Sequence, residues 1–101
     1  VNNYNVSYEM CWIPAMTINN LLIAFGGPRY WNFVKIDAEG VSIDLCCQLP
    51  LAEMKETEII CCERSIMGLT KTTGQDELEA YLAPYYTIEV RNDTNLIARR
   101  K

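Results

Sequence analysis

The residues in this chain best equipped for chemistry are its five cysteines: Cys11 alone, and the adjacent pairs Cys46-Cys47 and Cys61-Cys62 within LCCQLPLAEMKETEIICCERS. A cysteine can ligate a metal, act as a nucleophile or form a disulfide, and each role makes its own geometric demand. Structural zinc sites favour Cys-x-x-Cys spacing, which aims two sulfurs at one point, whereas adjacent residues on a strand point to opposite faces. Four sulfurs on two strands therefore do not converge on one ion, and the chain has no histidine to complete a ligand set. Neither a metal nor another cofactor is expected. The lack of histidine also removes the usual base for a cysteine nucleophile and rules out a Ser-His-Asp arrangement.

Two readings of the cysteine pairs remain. If Val41–Gln48 and Thr57–Arg64 pair as antiparallel strands, one register opposes Cys46 to Cys62, Cys47 to Cys61 and Asp44 to Arg64. Opposed positions alternate between wide and narrow sites, so at most one pair would suit a disulfide. That bridge would close a loop of about 15 residues and contribute on the order of 3 kcal/mol. Alternatively, all four are free thiols packed as small hydrophobes. Cys11 is expected to be buried beside Trp12.

Carboxylates offer a second chemistry. Glu53, Glu56, Glu58 and Glu63, with Asp76, Glu77 and Glu79, contain enough acids for a general acid and base. On turns and a short helix such runs are solvated faces, and a chain of 101 residues has little room for a deep substrate cleft. The expectation is a protein that is not an enzyme.

Net charge is −4, and the nine Lys and Arg are scattered except for Arg99, Arg100 and Lys101, which read as a solvated tail. Without a basic stripe to displace counterions, nucleic acid is not an expected partner. The longest apolar run, Leu21 to Phe25, falls far short of the roughly 18 residues of a membrane span. Cysteine content, with sequons at Asn5 and Asn92 as glycosylation candidates, leans toward a secreted or otherwise oxidising compartment.

Half of the residues are apolar and 22% are charged, a balance that suits one folded domain over residues 1–101. WIPAMTINNLLIAFGGP reads as a helix with Pro14 in its first turn, a stripe of Ile18, Leu21, Leu22 and Phe25, and a stop at Gly26-Gly27-Pro28. RYWNFVKIDAEGVSIDLCC reads as a hairpin turning at Asp37–Gly40, and TEIICCERS as a third strand. A second, shorter helix runs from a capping box at Thr72 and Gln75 to Pro84, and YYTIEVRNDTNLIARR forms a last hairpin turning at Asn92–Asn95. Residues 4–10 offer an additional strand. Together these predict an α+β fold: a small antiparallel sheet of about five strands packed against one longer and one shorter helix.

Such a domain is expected to work as a protein interaction or assembly module, pairing with a copy of itself through a sheet face or edge. The residues expected at that surface are Tyr30, Trp31 and Phe33 on the first strand and Tyr86 and Ile88 on the last hairpin, for which core packing is the competing account. The alternative function is a thiol-based device, either a redox-switchable hairpin or a Cys-ligated metal module.

Overall fold

A computed structural model describes residues 9–27, 31–64 and 74–101. Residues 9–17 have no regular secondary structure. Helix α1 (Ile18–Ala24) then begins where Thr17 Oγ1 accepts a hydrogen bond from Asn20 N at 3.2 Å. Pro14 therefore lies outside the helix, and the expected start is too early by one turn. Gly26 and Gly27 end it at φ 88° and 90°, with Gly27 N donating to Leu22 O at 2.8 Å. Only glycine takes those angles without strain.

Strand β1 (Phe33–Ile36) alternates as expected, with Val34 and Ile36 buried and Phe33 and Lys35 exposed. The segment Val41–Cys47 is not the second strand of a hairpin. It contains helix α2 (Ser42–Cys46). Glu39 and Gly40 turn at φ 35° and 89°, and Ala38 N donates to Ser42 Oγ at 2.7 Å, which sends the chain over the sheet and not back along it. Seven residues satisfy either period: Val41, Ile43 and Leu45 alternate, yet Ser42 and Cys46, four apart, are the two that the helix buries.

Strand β2 (Ile59–Glu63) follows the turns at 51–56, and because residues 37–58 form a crossover it pairs with β1 in parallel: Val34 with Ile60, Ile36 with Cys62. Helix α3 (Gln75–Leu82) is capped by Gly74 at φ 104°, while the Thr72 of the expected capping box lies outside the described residues. Asp76 and Glu77 occupy its first turn, where the helix dipole favours acids, and Leu78 and Leu82 are buried. The last hairpin is as expected: strands β3 (Tyr86–Arg91) and β4 (Asn95–Arg100) meet at a turn where Asn92 Oδ1 accepts from Thr94 N at 3.0 Å and Asn95 N at 2.8 Å.

The result is a small α+β domain with, among the described residues, one four-stranded mixed sheet, order β1-β2-β4-β3, and three helices. The sheet is not wholly antiparallel, and it has four strands where about five were expected. Residues 4–8 of the additional strand fall outside the described residues, and Glu9 and Met10 are not in a strand. One face of the sheet presents Val34, Ile60, Cys62, Leu96 and Ala98 to a core closed by Leu49, Met54, Leu78 and Leu82. The helices lie on that face, and burial of its apolar side chains is the main stabilising term.

The C-terminal cations are not a solvated tail. Arg100 Nη1 donates to Leu51 O at 3.2 Å and Met54 O at 3.0 Å, and its guanidinium lies 5.5 Å and 5.4 Å from the ring centroids of Tyr85 and Tyr86. Tyr86 OH in turn donates to Thr57 O at 2.8 Å. The end of β4 thus pins the turns that carry Leu51 and Met54 against the sheet. Arg99 pairs with Glu89 at 2.5 Å on the outer surface, where an ion pair contributes at most about 1 kcal/mol.

Candidate interaction surface

Among the described residues no element covers the opposite face of the sheet, its open face. The strand register lays Phe33, Ile59, Arg99 and Thr87 in one row and Lys35, Cys61, Ile97 and Val90 in the next. The shift between Ile88 and Val90 brings Val90 into the second row, onto the same face as Ile97. Phe33 is 57% exposed, and Ile59, Cys61 and Ile97 are half-buried. The centre of this face is apolar, flanked by the long stems of Lys35 and Arg99.

Ahead of α1 stands a second apolar surface. Met10 and Trp12 are fully exposed, Ile13 is 77% exposed and Met16 53%, and Glu9 is the single charged residue in this arm. In α1, Leu22 is buried beside Pro50 and Glu53, and Ile18 packs on the core, while Ile23 and Phe25 remain exposed. The arm therefore leaves from the helical layer. Scattered apolar residues on a surface are ordinary, but a contiguous segment of them marks a place for a partner.

Of the residues expected at the interaction surface, Phe33 is exposed on the open face, Ile88 is half-buried, and Trp31 is half-buried against the core. Tyr86 is only 1% exposed and belongs to the core, so it cannot line a surface. Tyr30 lies outside the described residues. The arm was missed because Trp12, Ile13 and Met16 fit the early turns of the expected helix. Pro14 between them was the signal, since it also suits an extended segment.

All five cysteines are free thiols, and no disulfide forms. Cys11 is exposed in the arm, not buried beside Trp12. The expected opposition of Cys46 to Cys62 survives as a contact, although the strands that implied it do not: Cys46 on α2 hydrogen-bonds to Cys62 on β2, and both are fully buried. Cys62 Sγ also lies 3.5 Å from Ser42 O, at the start of the same helix. The bond to Cys62, then burial, hold the Cys46 thiol well above the ordinary range, and the same bond favours the Cys62 thiolate. Burial raises Cys47 and Cys61 as well. Cys61 points to the open face, away from Cys62, so the four sulfurs do not gather at one point.

Acids meet at the C-terminal ends of the parallel pair. Oxygens of Asp37, Glu39 and Glu63 lie within 4.8 Å of one another, a spacing a hard divalent cation can use. Glu63 is pushed up to about 7, first by its hydrogen bond with Asp37 and then by burial and the Asp37 charge, against the opposing Lys35. Only Glu63 of this trio stands out in the acidic runs of the sequence. Asp37 and Glu39 read there as turn formers, and the parallel pairing that gathers them is not legible locally.

The sequon at Asn92 sits at the exposed hairpin tip, where its side-chain oxygen holds the turn, and Asn5 lies outside the described residues. Among the described residues no helix is long and apolar enough to cross a membrane. No family model matches the chain, and neither a curated protein nor a solved structure shows significant similarity to it.

Proposed function

We propose that this chain is a non-catalytic protein interaction module that engages its partner through the apolar arm of residues 9–17. The observation that carries this reading is the full exposure of Met10 and Trp12, with Ile13 and Met16, beside a core that is closed without them. Trp and Met are among the residues enriched where proteins meet, and a Trp in water loses the stabilisation of its large apolar area. The thiol-device alternative has less support. Cys46 and Cys62 are both sealed from solvent, so neither thiol of the pair is open to an oxidant, a metal or a substrate.

Replacing Met10, Trp12, Ile13 and Met16 together by Ser tests the reading. Expected is an unchanged unfolding midpoint and circular dichroism spectrum, because these side chains contribute little to the core, with loss of the complexes that the parent chain forms in cross-linking and light scattering. Loss of cooperative unfolding in the variant would show that the arm is part of the fold and would refute the reading.

A further inference from the structure

We infer that the partner of the arm is a second copy of this chain, with each arm laid across the open sheet face of the other copy in a reciprocal exchange. This rests on the interaction reading above. Among the described residues each chain carries both halves of the contact: an apolar segment without a seat, and an apolar sheet face without a cover.

Area decides between a one-way and a reciprocal contact. At about 200 Å² for a fully exposed Trp and roughly 50–100 Å² for each of Met10, Ile13 and Met16, the arm offers on the order of 450 Å². Laid on a face that loses as much, one arm buries about 900 Å² in total, which is below the roughly 1,000 Å² a specific interface needs. Two exchanged arms bury about 1,800 Å², within the range of stable complexes, and the exchange closes a two-fold dimer in which no third copy is required.

Reach and direction agree. Nine extended residues span about 30 Å, more than the roughly 15 Å across four strands. Ile18 and Leu22 anchor α1 in the helical layer, so the arm's own sheet face lies on the far side of the molecule, while a partner's face is open to it.

The chain supplies its own reporters, since Cys11 lies in the arm and Cys61 at the centre of the open face. Chains labelled with nitrogen-15 are mixed with unlabelled chains, joined with a short bis-maleimide and digested. The expected product is Cys11 of one isotope joined to Cys61 of the other, from a species that light scattering reports as a dimer at high micromolar concentration. Trp12→Ala should weaken the dimer at least about tenfold, as loss of a buried Trp anchor does, and leave the unfolding midpoint of the diluted monomer unchanged. Cys11 joined to Cys61 only within one chain would overturn the inference, as would cross-links from Cys11 to Cys47 in place of Cys61. A monomer whose Trp12 stays open to a fluorescence quencher would overturn the second copy as partner and leave the interaction reading standing, whereas failure of the four-Ser variant to unfold cooperatively would remove both.

Discussion

Arg100→Ala should destabilise the domain by about 2 kcal/mol. The side chain donates to Leu51 O and Met54 O and stacks on Tyr85 and Tyr86, and truncation leaves both carbonyls without that donor. Hydrogen bonds from a charged donor are worth about 1.5 kcal/mol or more each, and the ring contacts add about 1 kcal/mol at a partly exposed site. Releasing the long side chain returns up to roughly 2 kcal/mol of rotamer entropy, so the net loss is near 2 kcal/mol. For a domain of this size that is a drop of roughly 10 °C in melting temperature, read by circular dichroism and checked by urea titration with an unchanged slope. Arg100→Lys keeps a charge but not the planar fork, and should fall about midway. A melt of Arg100→Ala within one degree of the parent would refute the claim that β4 pins the 51–54 turns. The effect should also reach the cavity that Pro50 and Glu53 of that segment line together with Asn19, Leu22 and Ile23 of α1.

Two further predictions concern titration and access. Glu63 is held up to about 7 in the fold, so between its ordinary value and about 7 the folded chain binds more protons than the unfolded one, and stability falls as pH rises through that window. Glu63→Gln should flatten the fall in unfolding free energy measured from pH 5 to 7; an unchanged slope would show that the Asp37–Glu63 contact is not formed. In maleimide labelling of the monomer followed by mass spectrometry, Cys11 should react first, Cys47 and Cys61 more slowly, and Cys46 and Cys62 only on unfolding; early labelling of Cys62 would contradict its burial between α2 and the sheet.

Elements with one dominant local signal were legible in the sequence. The β3–β4 hairpin follows from two β-rich runs flanking Asn92–Asn95, and α3 from Leu78 and Leu82 four apart before Pro84. Where two periods fit, local pattern misleads: Val41–Cys47 alternates like a strand but folds as α2, because the turn at Asp37–Gly40 directs it over the sheet. The parallel pairing of β1 with β2 leaves no local trace, since it depends on how residues 37–58 cross the sheet. That pairing is what assembles Asp37, Glu39 and Glu63. The arm was misread for a related reason, in that apolar spacing near Pro14 records which residues seek burial and not whether this chain provides it.

The strand order has a consequence for assembly. The last of the four described strands, β4, is an inner one, inserted between β2 and β3. A chain lengthening from its N-terminus can therefore join β1 to β2 but must hold the second edge of β2 bare until residues 95–100 have been made, so the sheet closes in one late step and any chain stopped before Asn95 carries an uncovered template for aggregation.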